Sequence, residues 1–327
     1  MLDVAAYSVM LILTPNPCLD VTIWVRQLVV GSVHRAVKNK TTAGGKGINV
    51  ARAISSLGSK GQLILMLPKV QADLYKGNLA QVGISAFYLD IAGEVRKSII
   101  VNQEVASDIT VVNGMGPDIT AEDWDRYCEL VFEKISPTDL VLLMGSMPSN
   151  SPANAIEKLL KLVHSADAQL LVDTSPMSLK SRLGGVLDII TPNLEEAEAF
   201  ISGDTGNFFM INNENIQERA MSVADKLQAE VAMQVFITAG EHGCAFNNGS
   251  EKWFLPAYKV KPWLYRSAVG AGDSFVAGLA SYLQNNMHAV NWQDCARFAM
   301  ATAAASCESF LAGGVKKERV YEILAGV

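Results

Sequence analysis

Short apolar runs alternate with stretches of helical periodicity along most of the chain, and that rhythm restricts the fold more than any single motif does. Strands are predicted at Val9–Leu13, Gln62–Met66, Leu140–Met144, Gln169–Val172, Ile189–Ile190 and Val235–Thr238. Helices are predicted over Gly47–Leu57, Asp73–Val82, Ala121–Lys134, Ala153–His164, Leu194–Phe200, Ile216–Ala229 and Asp273–Asn285. Alternation of this length implies an α/β fold with a mostly parallel sheet covered on both faces. Two segments, Val21–Lys38 and Arg96–Val112, break the rhythm and read as β without intervening helices, so they are expected to form a small separate sheet. No repeat, low-complexity tract or Gly/Ser-rich linker divides the chain. The expectation is one domain over residues 1–327 with an excursion at about 14–40 and 95–115.

Half of the 327 residues are apolar, enough for a large buried core. The net charge of −6, with no block of Lys or Arg, argues against nucleic acid or a membrane surface as the main partner. Anionic small substrates stay open, because a few local cations can overrule a global charge. Five cysteines, at 18, 128, 244, 295 and 307, form no C-x-x-C pair. A zinc site or disulfide framework is therefore not expected, and a reducing compartment, the cytoplasm, fits best. Met1–Leu13 has an apolar run but no basic region and no small-residue cleavage site, so it reads as a first buried strand rather than a signal peptide. No apolar run is long enough to span a bilayer.

The strongest chemical motif is Gly270-Ala271-Gly272-Asp273 at the start of a predicted helix. Small residues let the backbone turn tightly and approach a ligand, and free N–H groups at a helix start bind anions. A carboxylate there would lie beside a bound phosphate, where phosphoryl transfer needs a group to accept a hydroxyl proton. The competing explanation is an ordinary Asp cap on a Gly-rich turn. A second motif, Thr42-Ala-Gly-Gly-Lys-Gly-Ile-Asn-Val-Ala-Arg52, lacks the Walker A spacing. Its glycines 44, 45 and 47 would let amides meet substrate oxygens, and a plain turn before a helix explains it about as well. Thr14-Pro-Asn-Pro-Cys-Leu-Asp20 follows the first strand, at the end where open α/β sheets bind ligands. Thr191-Pro192-Asn193 with Glu196 is an acceptable N-cap pattern, or a pair of oxygen donors near Mg²⁺ and its waters. Phe236–Cys244 and Leu143–Pro148 are strand ends with small turns, each weak alone.

Together, and in this order, these strings resemble the ribokinase-like family of carbohydrate kinases, also called phosphofructokinase-B. Ala43–Arg52 resembles the family's first signature and Val269–Gly278 its second. Leu13–Asp20, Gly31-Ser-Val-His-Arg35, Val95-Arg96 and Asn113–Ile119 look most like the phosphosugar branch, 1-phosphofructokinase and tagatose-6-phosphate kinase. The resemblance implies a three-layer α/β/α core plus a small β-sheet lid, and an enzyme that uses ATP and Mg²⁺ to phosphorylate a sugar phosphate. It implies Asp273 as general base, with Gly270, Ala271 and Gly272 forming the anion hole. Asp20, Asn49, Gly44 and Gly45 would meet sugar hydroxyls, and Asn113 would line the same site. Arg35, Lys46, Arg96 and Ser146 would take the phosphate already on the substrate, for which the planar fork of Arg is suited. Thr238, Gly240, Gly243 and Asn193 would lie by the nucleotide, and Asp173 and Glu196 would hold Mg²⁺, through water. The lid would exclude water and permits a homodimer.

The chain departs from the usual pattern at four places, one of them Ala268-Val269, where a Thr is expected before the second signature's Gly. Thr191-Pro-Asn stands where Lys-Pro-Asn is usual, Pro68–Asp73 replaces a Gly-Gly-Asp-x-x-Gly loop, and Pro148-Ser-Asn150 replaces Pro-Pro-Gly. Two other readings stay open: a kinase of an unphosphorylated sugar or nucleoside, and a degenerate, non-catalytic sugar-phosphate-binding regulator.

Overall fold

All five residues of the first strand, Met10–Thr14 (β1), are buried, and they alternate between two cores. Met10 and Ile12 join one apolar cluster, Leu11 and Leu13 the other. Leu140–Met144 (β8) divides the same way, which is why these strands read as unbroken apolar runs. The computed structural model describes residues 10–105, 109–137, 139–174, 187–203, 214–286 and 289–326. Most of the expectation for Met1–Leu13 lies outside them.

The first part of the chain runs β1, β2 (Cys18–Val25), β3 (Lys38–Gly44), α1 (Lys46–Leu57), β4 (Gly61–Val70), α2 (Ala72–Gln81), β5 (Ala86–Glu94), β6 (Arg96–Gln103) and β7 (Ile109–Asn113). Then come α3 (Ala121–Lys134), β8, α4 (Ala155–Ser165), β9 (Gln169–Asp173), β10 (Leu187–Ile190), α5 (Leu194–Ser202) and α6 (Ile216–Glu230). Last are β11 (Ala232–Thr238), β12 (Gly243–Asn247), β13 (Lys252–Pro256), α7 (Ala271–Asn286), α8 (Trp292–Ser306) and α9 (Lys317–Leu324). Nine strands form one sheet in the order β13-β12-β11-β10-β9-β8-β1-β4-β5. It is parallel except for β12 and β13, which add as an antiparallel hairpin. One core holds α1, α7 and α8, the other α3, α4 and α6, so helices cover both faces as expected.

A second sheet stands apart, in the order β3-β2-β6-β7. Its first excursion differs from expectation. Residues 26–37 carry no strand, and β3 begins only at Lys38. The first glycine motif therefore starts on a strand of this second sheet, with Gly44 as its last residue, rather than on a plain turn. Around 68–73, β4 continues to Val70 and a left-handed Gln71 (φ 70°) turns directly into α2.

Two helices and several strands escaped the sequence pattern. The buried face of α8 is mostly alanine, which gives little contrast in apolar size. That small face lets α8 come close to α7: a Cβ on Gly278 would lie 2.8 Å from the Cα of Ala299 and 2.7 Å from Thr302 Oγ1. A backbone atom cannot rotate aside. Gly278→Ala is therefore expected to cost about 1–3 kcal/mol, seen as a lower urea midpoint at unchanged m-value.

Candidate active site

The start of α7 lies against α1. Gly270 adopts φ 81°, which a side chain would oppose, and a Cβ there would press on Ala312. The helix begins at Ala271, so Asp273 is its third residue rather than its cap. The Ala271 N–H donates to the Ala268 carbonyl at 3.1 Å. The N–H groups of Gly272 and Asp273 have no acceptor among the described residues, so these two, more than Ala271, are free for an anion. A Cβ on Gly272 would touch nothing within 4 Å. Neither packing nor conformation requires that glycine; its missing side chain leaves open space over the free amides.

Asp273 is 7 % exposed and accepts a hydrogen bond from Asn49 Nδ2 at 2.8 Å. Burial raises its pKa to about 6, against the pull of Lys46 and the Asn49 hydrogen bond and with the help of Asp173 and Asp20. A carboxylate in that range suits proton abstraction near neutral pH.

Gly45, at φ 112°, starts α1 without a side-chain cap, and Lys46 follows. Lys46 Nζ lies 2.7 Å from Asp173 Oδ1 and 3.9 Å from Glu196 Oε1. Burial disfavours its ammonium, but Asp173, Glu196 and Asp273 more than offset this and hold it above its ordinary pKa. The expected phosphate ligand is thus ion-paired at the end of β9. Asn193 and Glu196 form a complete capping box on α5: Glu196 N donates to Asn193 Oδ1 at 2.7 Å and Asn193 N to Glu196 Oε2 at 3.1 Å. The cap accounts for both residues and leaves Glu196 Oε1 toward Lys46. Among the described residues no three acidic, His or Cys side chains converge as a metal cage. That donor set suits Mg²⁺ only in its usual manner, with several waters and nucleotide phosphates beside one or two carboxylates.

The second sheet faces this centre with Asp20 and Arg96. Asp20 Oδ1 accepts from the Cys18 thiol at 3.2 Å, and a Cβ on Gly44 would collide with the carboxylate, which gives Gly44 a reason to be glycine. Burial raises the Asp20 pKa, while the Cys18 hydrogen bond, Arg52 and Arg96 oppose it. Arg96 donates through Nε to the Asn16 carbonyl at 3.1 Å, and no carboxylate pairs with its guanidinium among the described residues. Asn16 Nδ2 in turn donates to Ser146 Oγ at 3.0 Å. Asn16 therefore joins two expected phosphate ligands, Arg96 and Ser146; nothing local in the sequence marks it, since its burial at 6 % is visible only in the fold.

Other expected residues are less central. Arg35 lies exposed in 26–37, and the structure shows no contact that draws it to the centre. Asn113, exposed on β7, accepts from Ser98 Oγ at 2.9 Å. Thr238 N donates to the Pro192 carbonyl at 3.1 Å, which sets the end of β11 beside Asn193. Gly240, at φ 53°, opens a short 3-10 turn with free space where a Cβ would be. Gly243 needs no ligand to explain it: at φ 138° its Cβ would run into the Leu255 carbonyl of β13. Thr191 is buried, and its hydroxyl has no partner among the described residues.

A family described as pfkB family carbohydrate kinase matches residues 14–318. A 1-phosphofructokinase of Xanthomonas campestris pv. campestris is 27% identical over 318 residues, covering 96% of either chain. Phosphofructokinase-2 from Escherichia coli, solved in complex with fructose-6-phosphate, is similar with a TM-score of 0.81 at 21% identity, over 98% of this chain and 99% of that one. A ribokinase from Thermotoga maritima has a TM-score of 0.70 at 19% identity, over 98% of this chain and 100% of that one. The solved structures establish a ribokinase-like fold. Among the described residues no helix is long and apolar enough to cross a membrane.

Proposed function

The chain belongs to the pfkB family of carbohydrate kinases, and on that premise we propose that it moves the γ-phosphate of ATP to a hydroxyl of a sugar phosphate, of the fructose 1-phosphate or tagatose 6-phosphate type. Two groups left open to anions carry this reading, one on the main body and one on the second sheet. On the main body a buried Asp273 lies beside the unbonded amides of Gly272 and Asp273. On the second sheet the guanidinium of Arg96 has no carboxylate partner among the described residues and shares Asn16 with Ser146. The curated relative's name, 1-phosphofructokinase, supports the same substrate class.

Asp20 holds the sugar hydroxyls, and Asp273 accepts the proton of the attacking hydroxyl as its oxygen bonds to the γ-phosphorus. The amides of Gly272 and Asp273 take the charge on the transferring phosphoryl oxygens, and ADP leaves. Asp173 and Glu196 are the residues to hold the waters of Mg²⁺, which supplies charge neutralisation to the nucleotide phosphates. Arg96 and Ser146 receive the distal phosphate of the sugar. Thr238 and Gly240 border the nucleotide. The second sheet acts as a lid, and the exposed Val111 and Val112 on β7 give it an apolar surface for a homodimer. The cytoplasm is the compartment that suits five free cysteines.

ADP release over a panel of sugar phosphates, free sugars and nucleosides tests this reading. Turnover confined to sugar phosphates is expected. Turnover on free sugars or nucleosides would favour the second reading, which the Thr191-Pro-Asn sequence supports. Tight sugar-phosphate binding without turnover would favour a regulator. Arg96→Ala is expected to raise KM for the sugar phosphate by about 10–100-fold, from the loss of charge-assisted hydrogen bonds, with the KM for ATP unchanged. Equal effects on phosphorylated and free sugars would remove Arg96 from the phosphate site.

A further inference from the structure

The hydrogen bond to Asp273 depends on which end of the Asn49 amide faces it. An amide has one acceptor end and one donor end of nearly the same shape. Only the donor end favours an ionised carboxylate; the oxygen end repels it. Asn49 Nδ2 faces Asp273 Oδ2 at 2.8 Å. Arg52, three residues on along α1 and so on the same helix face, donates through NH1 to Asn49 Oδ1 at 3.1 Å. A guanidinium has donors only, so this contact admits the amide in one orientation. The same NH1 donates to the Ala312 carbonyl. Gly313 packs so closely on the Asn49 carbonyl that it has no room for a Cβ. The chain at 312–313 thus braces Asn49 and Arg52 together. Arg52 Nε is buried without a partner among the described residues, a cost that an aliphatic side chain in its place would avoid.

We propose that Arg52 is a positioning residue for the base: it locks the Asn49 amide so that its N–H, and never its oxygen, meets Asp273. This rests on the reading of Asp273 as general base. The charged groups that face Asp273 are Lys46 and Arg52 from α1, Asp173 from β9 and Asp20 from β2. Without Arg52 the amide is free to turn. The carboxylate then loses a donor, and its protonated form gains.

The test is the pH profile of kcat/KM for the sugar substrate. In Arg52→Met the acid limb is expected to move to higher pH by about half to one unit. The kcat on the plateau is expected to fall about tenfold. In an Asn49→Ala background the same substitution should do little more, because its effect passes through Asn49. Arg52→Gln serves in the same measurements where Arg52→Met fails to fold. An acid limb that stays in place, or effects that simply add to those of Asn49→Ala, would overturn the proposal. An inert Asp273→Asn enzyme with an unmoved Arg52→Met limb refutes only the role of Arg52. An Asp273→Asn enzyme with wild-type kcat refutes the base itself.

Discussion

Asp273→Asn is expected to leave a folded protein whose turnover is lower by about 10²–10⁴-fold, the usual share of a general base. Asparagine preserves the shape and can still accept from Asn49 Nδ2, but it cannot take a proton at neutral pH. Stability should move the opposite way. The Asp273 pKa stands at about 6 in the fold, against an ordinary 3.8, with burial as the main cause. The folded state therefore binds the proton more tightly than the unfolded chain does. The stability this proton gives is full below about pH 4 and is lost as pH rises through about 6. At pH 8 the wild type carries the whole cost of a buried charge, at most about 3 kcal/mol for a shift of this size. The variant carries none. It should unfold at higher urea than the wild type at pH 8, and the difference should close by pH 4. A variant that is less stable at every pH would show that its attraction to Lys46, not desolvation, dominates at this site.

Asp20→Ala should be nearly as damaging, but by a different route. On its proposed role Asp20 makes two charge-assisted hydrogen bonds to sugar hydroxyls, worth about 1.5–3 kcal/mol each. Their loss should lower kcat/KM for the sugar by about 10²–10⁴-fold, mostly through KM, while KM for ATP holds. The Cys18 thiol and the tight approach of Gly44 fix the carboxylate in place, so little of its binding is spent on ordering a mobile side chain. Steady-state kinetics with each substrate varied in turn would check this. An unchanged sugar KM would detach Asp20 from substrate.

The parts of this protein that were legible in its sequence are those with strong local signals. Helix α3 runs over Ala121–Lys134 as expected, with Thr120 and Asp123 completing a capping box at its start. β8 alternates faces within one apolar run, and a helix starts at Gly270–Asp273 as its small residues suggest. What stayed hidden depends on segments distant in sequence. Arg52 looks like a solvated helix residue until the carbonyl of Ala312, far along the chain, closes on it. Asn16 looks like a loop residue until Arg96 and Ser146 meet on it. Gly243, which the family resemblance sets by the nucleotide, is also required by the Leu255 carbonyl, a need that only the fold displays. An alanine face such as that of α8 shows little periodic contrast in sequence, though it packs as tightly as any other.

The register of the second sheet sets Cys18 opposite both Gly44 and Arg96, with Asp20 two residues along the same strand. Asp273 and its free amides belong instead to a helix of the main body. On the proposed roles, two of the groups that choose the sugar, Asp20 and Arg96, stand on strands of the second sheet, while Ser146 and Asp273 stand on the main body. On those roles, drift in β2 or β6 would retune which sugar is accepted while the apparatus for moving phosphate stays intact. A chain built this way can change its diet without relearning its trade.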